Sequence, residues 1–158
     1  MGNVWRYGAT VLLLSAAAIA GAQSQPPAGQ PQPAPENRSY YVKALAGLRR
    51  ARELLQPTPG EQPLDFEKQA IEDIDGGVRL LEGAVGEDGK PVANVPANLP
   101  AKRLDRYYAA VKLLGACQRD VMTDRSPATR GLRMGAAGRI VRARQVVARA
   151  IGRIAGTG

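Results

Sequence analysis

The chain has 158 residues, with 22 Lys and Arg against 14 Asp and Glu, and a formal net charge of +8. That length suits one domain, and an apolar share of 44% supports a packed core rather than disorder. There is no histidine, which removes the commonest general base and neutral metal ligand and argues against most enzyme mechanisms. The single cysteine, Cys117, leaves no internal disulfide framework.

Residues 1–22 read as a signal peptide: a short start with Arg6, an apolar run from Ala9 to Ala20, then Ala20-Gly21-Ala22. The apolar run falls short of the roughly 20 residues that span a bilayer, which favours cleavage after Ala22 over a retained anchor. No cysteine follows that run to carry a lipid, and there is no twin arginine. The expected location is the periplasm or the exterior. The only tryptophan, Trp5, lies in this leader, so the mature core must be built from Ala, Leu, Ile and Val with Phe66 and a few tyrosines.

Residues 23–36 begin QSQPPAGQPQPAP, a Pro/Gln-rich stretch with no apolar period that reads as a linker. A domain of residues 37–158 follows. Its apolar spacing predicts four amphipathic helices at about Ser39–Gln56, Asp65–Val85, Ala101–Met122 and Pro127–Ile154. A Pro-x-Pro-Gly turn, Pro57 to Gly60, stops the first, while Asp65 and Ser126 are candidate caps and Pro127 a candidate first helical residue. The predicted fold is all-α, a four-helix bundle of two tandem hairpins, 39–85 and 101–154, joined by a long loop at 86–100.

An offset of 66 residues aligns the hairpins without a gap: Tyr41 falls on Tyr107, Ala44 on Ala110, Leu48 on Leu114, Ala70 on Ala136 and Ile74 on Ile140. Several of these matches are identities, which favours duplication over shared helical periodicity. In an up-down-up-down bundle the first and third helices would start at one end. Tyr40, Tyr41, Tyr107 and Tyr108 would then form an aromatic cluster there, capping the core or offering a stacking surface.

The second helix is acidic, with Asp65, Glu67, Glu72, Asp73, Asp75 and Glu82; the fourth carries seven arginines between Arg130 and Arg153 and no acid. At 100° per residue Arg139, Arg142, Arg149 and Arg153 share one strip beside the apolar face. This strip either faces the acidic helix or solvent, or it is an anion-binding site. Neighbouring acids on a helix diverge, so Glu72, Asp73 and Asp75 read as a solvated face rather than a calcium site. Cys117 falls on the apolar face as a small core residue, with no histidine to activate it. The recurring helical glycines read as points of close helix packing.

Tyr41 to Leu55 (YVKALAGLRRARELL) resembles the first helix of an uncharacterised family of small exported bacterial helical proteins, which reads Tyr-x-x-Ala-Leu-x-x-Leu-Arg-x-Ala-Arg-x-Leu-Leu. In that family it precedes a helix similar to Ala70 to Asp75 (AIEDID) and then a second hairpin. The resemblance implies export and a hairpin pair, and supplies no activity. The family's histidines before and within this helix are replaced here by Arg38, Tyr40 and Lys43, so no metal role carries over.

These observations lead to a non-enzymatic exported structural or interaction module, without catalytic residues, cofactor or metal. Self-association into an oligomer is a variant of this reading. The alternative is a binding protein for anionic envelope polymers or lipids through the fourth helix. Its partner would be a protein or an anionic envelope polymer; cellular nucleic acid is not expected, nor a transmembrane segment in the mature chain. N-terminal sequencing of exported protein should return Gln23 or a near neighbour; a chain retaining Met1 in the membrane fraction would overturn the leader assignment.

Overall fold

The computed structural model describes residues 35–85 and 98–156. The leader, residues 23–34 of the linker and most of the joining loop lie outside them. The described residues form four helices and no strand: α1 (Pro35–Leu55), α2 (Asp65–Val85), α3 (Arg103–Thr123) and α4 (Arg130–Gly156), the last entered through a 3-10 turn, Pro127–Thr129. This is the predicted all-α bundle of two hairpins. Pro35 is already helical, so the helix starts inside the predicted linker; proline suits a first turn, where its missing N–H is not needed.

Acidic side chains hold both hairpin turns. In the first, Glu61 Oε2 accepts from the Thr58 N–H at 2.8 Å, Gly60 takes a left-handed φ of 92°, and Glu67 Oε2 accepts from the Leu64 N–H at 2.8 Å. The Glu67 contact is the backward half of a capping box. In the second, Asp124 replaces the expected cap Ser126, whose own side chain makes no capping bond. Asp124 Oδ1 accepts from the Ser126 N–H at 2.8 Å and Oδ2 from the Thr129 hydroxyl. Pro127 opens the 3-10 turn rather than α4, whose α-helical geometry begins at Arg130.

Long-range contacts fix the helix directions. Arg49 reaches Glu82 and Arg52 reaches Asp75, so α1 and α2 are antiparallel. Early α1 meets late α3, through Tyr41 with Asp124, and Gly47 lies against Cys117. Leu80 meets Gly135 and Gly76 meets Arg139, so α2 and α4 are antiparallel too. The topology is therefore up-down-down-up. α1 packs beside α2 and α3, α4 also packs beside both, and α2 and α3 occupy opposite corners. Because α2 and α3 run the same way, the end of α2 and the start of α3 lie at opposite ends of the bundle.

The core is built from small and aliphatic residues. Leu48, Ile74, Leu114 and Ile140 are fully buried along it, and Ala44, Ala51, Ala70, Ala110, Ala136 and Ala143 bring the backbones close. The residues aligned by the offset of 66 have matching burial: Tyr41 with Tyr107, Ala44 with Ala110, Leu48 with Leu114, Ala70 with Ala136 and Ile74 with Ile140 are all buried. Not every glycine marks a close approach. Gly131 and Gly152 face open space, whereas a Cβ on Gly47 would collide with Cys117 Sγ.

Gly47 is thus the point where α1 and α3 close on each other. Gly47→Ala should destabilise the bundle by about 1–3 kcal/mol through overpacking, despite the roughly 1 kcal/mol that alanine contributes in a helix interior. Adding Cys117→Ala should recover most of the loss, and urea denaturation of the two single variants and the double variant measures the coupling.

Candidate anion-binding surface

The arginine strip of α4 divides in two. Arg139 and Arg142 straddle one carboxylate: Asp73 Oδ1 accepts from Arg139 Nη1 and from Arg142 Nε, each at 3.2 Å. Asp73 is nearly buried, with a side-chain exposure of 10%. Half of the strip is therefore an internal partner of α2. Two other acids of α2 turn toward α1, where Asp75 meets Arg52 at 2.8 Å and Glu82 meets Arg49 at 2.7 Å.

Arg149 and Arg153 are exposed beyond this clamp, toward the C-terminal end of α4. Arg153 borders a groove of about 490 Å³ between the first turn of α2 and the last turns of α4, lined by Leu64, Phe66, Ala150 and Ile154 with Asp65 and Gln69 on the α2 side. Arg149 has no acid partner among the described residues. Cationic and apolar surface therefore adjoin at this end of the bundle.

The predicted aromatic cluster does not form. Because α1 and α3 are antiparallel, Tyr41 and Tyr107 sit at opposite ends of the bundle. Tyr40 is half-buried with Lys43 5.9 Å from its ring centroid, and Tyr108 is exposed on α3. Both buried tyrosines instead bridge the hairpins. The Tyr41 hydroxyl donates to Asp124 Oδ2 and the Tyr107 hydroxyl to Glu67 Oε1, each at 2.7 Å, and Phe66 meets the Tyr107 ring edge-on at 5.3 Å.

These two ends hold the ionisable groups that sequence reasoning missed. Arg103 gives Glu67 two hydrogen bonds, Nε to Oε1 at 3.0 Å and Nη2 to Oε2 at 2.6 Å. Arg106, the largest fully buried side chain, pairs with Glu61. Arg133 donates to the Asp124 and Ser126 carbonyls. A buried arginine leaves no periodic signal, since Arg106 merely interrupts an apolar stripe. A sequence signal marks one of these acids in advance: Thr58-x-x-Glu61 has the Ser/Thr-x-x-Glu spacing of a capping box, and the Thr58 N–H does donate to Glu61.

The same surroundings fix the protonation states. Burial pushes the Tyr41 phenol up to about 12, reinforced by its bond to Asp124, and raises Tyr107 by the same causes with Glu67 as partner. Burial acts upward on Glu67 and Asp124 as well. For Glu67 it is outweighed by hydrogen bonds from Arg103, the Leu64 N–H and Tyr107, and for Asp124 by those from Thr129, the Ser126 N–H and Tyr41, so both carboxyls titrate below their ordinary range. Cys117 is held up at about 12 by burial, which keeps it a thiol. Among the described residues no group of three potential metal ligands forms, and no helix is long and apolar enough to cross a membrane.

The chain matches no protein-family model, no curated protein and no solved structure.

The buried carboxylates predict an acid limb of stability. Because Glu67 and Asp124 have folded pKa values below the unfolded ones of about 4.3 and 3.9, their contribution is complete above those unfolded values and is lost as pH falls through the folded ones. The raised Tyr41 acts in the opposite sense: its contribution is complete below about 10 and disappears as pH rises toward 12. Urea denaturation across pH should show both limbs. Glu67→Ala should cost about 1–3 kcal/mol at pH 7, since it leaves the buried Tyr107 hydroxyl without its acceptor and removes the carboxylate that pairs with Arg103, and should flatten the acid limb.

Proposed function

We propose that this protein is a non-enzymatic exported module that works through its surface, binding an anionic polymer of the cell envelope through the exposed end of α4. The observation that carries this reading is the unequal use of charge. The buried acids Glu67, Asp73 and Asp124 are all engaged inside the bundle, while Arg149 has no acid partner among the described residues and is exposed one turn from Arg153, which borders a groove of mixed lining. Basic side chains on a fixed helix can track repeating phosphates or carboxylates without a shaped pocket. The leader assigned to residues 1–22 would place the module in the periplasm or outside the cell, where such polymers are present.

The matching burial of residues 66 apart, together with the reciprocal tyrosine bonds, supports a second proposal, that the hairpins arose by duplication. Such paired hairpins also lend themselves to self-association, because an antiparallel packing of like units can be repeated between chains.

The two halves of the strip give opposite expectations. Arg149→Glu with Arg153→Glu should abolish retention on an anionic polymer such as heparin or teichoic acid, with little change in stability. Wild-type retention should weaken steeply with salt, as the screening length shrinks to about 8 Å near 0.15 M. Arg139→Glu with Arg142→Glu should instead lower stability by placing like charges around Asp73, and Asp73→Arg should restore it. Unchanged retention after the first reversal would sink the α4 reading.

A further inference from the structure

A second groove, of about 460 Å³, lies on the opposite side of the bundle, between α1 and α3. Its floor follows from the sequence of α3. Ala109, Leu113 and Ala116 recur at helical spacing, so two small residues flank one large one and leave a trough beside Leu54 of α1. That trough is dry in character, with Leu54 almost completely buried and Leu113 packed against the core. Its rim is cationic: Lys112 and Arg119 stand two turns apart on α3, about 10 Å along the axis, and Arg50 stands on the α1 wall.

Most of this charge is unmatched. Arg50 is paired with Glu53 at 2.7 Å, but Lys112 and Arg119 have no acid partner among the described residues. A second arginine adds to the field at the Arg119 end. Arg144 of α4 and Arg119 reach over Gly115 from two sides, their Nη1 atoms 3.5 and 3.8 Å from the position a Cβ would take there. Arg144 likewise has no acid partner among the described residues. Two guanidinium groups brought over one glycine, next to an apolar trough, form a polar end and a greasy end in a single site.

We infer that the α1–α3 groove binds a single-chain anionic phospholipid, with its acyl chain on Leu54, Ala109, Leu113 and Ala116 and its phosphate at Arg119, Lys112 and Arg144. Charge complementarity selects the anion, and guanidinium forks suit phosphate oxygens, which can accept two parallel N–H bonds. The volume lies within the range of about 300–1,000 Å³ usual for small-molecule sites, and an apolar lining with a few placed polar groups is their common design. An acidic peptide would use the rim but leave the trough without a matching apolar group. The inference is independent of the α4 arginines.

Isothermal titration of the purified protein with lysophosphatidylglycerol below its micelle concentration tests it. One molecule should bind per chain, at least tenfold more tightly than lysophosphatidylcholine, with no measurable heat from inorganic phosphate alone. Lys112→Glu with Arg119→Glu should weaken binding at least tenfold. Ala116→Leu, which fills the trough without touching the charges, should do the same while circular dichroism stays helical. Should Ala116→Leu fail to fold, the surface pair Lys112→Glu and Arg119→Glu still decides the matter. Arg149→Glu with Arg153→Glu should bind the lipid as wild type does, so that failure of the polymer reading and failure of this one are distinct results. Equal affinity for the zwitterionic and anionic lipids, undiminished binding in the Lys112 and Arg119 reversal, or loss of binding only in the α4 reversal would each overturn the assignment.

Discussion

Two buried tyrosine hydroxyls tie each hairpin to the turn of the other, Tyr41 to Asp124 and Tyr107 to Glu67. Each bond joins the start of one hairpin's first helix to the turn region at the far end of the other hairpin's first helix, and both can be satisfied together only if α1 and α3 run in opposite directions. From that single condition the other directions follow, since each hairpin is antiparallel within itself. α4 then runs parallel to α1 and opposite to α2, and the end of α2 and the start of α3 lie at opposite ends of the bundle. A phenol and a carboxylate buried without each other would be costly at both places. The pairing therefore stabilises this arrangement against the alternative in which both hairpins point the same way.

The acids at these ends serve the turns and the bundle at once. Glu67 accepts from the Leu64 N–H as a cap, from Tyr107 as an interhairpin tie and from Arg103 as an ion pair. Asp124 combines a turn bond to Ser126, a bond from Thr129 and the tie from Tyr41. A carboxylate has lone pairs enough for several such donors, and a buried one is tolerated only when they are filled. Local structure and tertiary structure are thereby coupled, because loosening a turn also releases a helix of the other hairpin.

Much of the fold was legible in the sequence. Apolar residues at helical spacing gave four helices and two hairpins, with α2 matching its predicted limits, because each helix buries one continuous stripe. Their directions were not legible, since periodicity says which face is buried and nothing about which end meets which. That is why four tyrosines were expected at one end and Tyr41 and Tyr107 stand at opposite ones. The cap at the second turn was misread for a similar reason. Ser126 has the right chemistry at the right place, but its own N–H is taken by Asp124, whose carboxylate also accepts from Thr129 and gains a bond from Tyr41 that only the folded bundle provides. Of the α4 strip, composition gave the charge and helical spacing the shared face; that Asp73 would claim Arg139 and Arg142 and leave Arg149 without an acid among the described residues depended on the antiparallel register of α2 and α4.

That register also decides where positive charge is left over. α2 and α3 occupy opposite corners, and α2 carries the acids that face its two neighbours: Asp75 and Glu82 answer arginines of α1, and Asp73 answers arginines of α4. The sides of α1 and α4 that look toward α3 meet Lys112 and Arg119 instead, and Arg144 comes to rest beside Arg119 rather than beside an acid. A helix pair of like charge loses little when it is solvated, because water and salt screen exposed charges, so the bundle tolerates this corner without an internal partner. The same corner has the small residues Ala109, Gly115 and Ala116, which let the groove form and bring the guanidinium groups over the backbone. Charge and shape therefore coincide on this face of α3, where Lys112 and Arg119 border a groove made by small residues and meet no acid partner among the described residues.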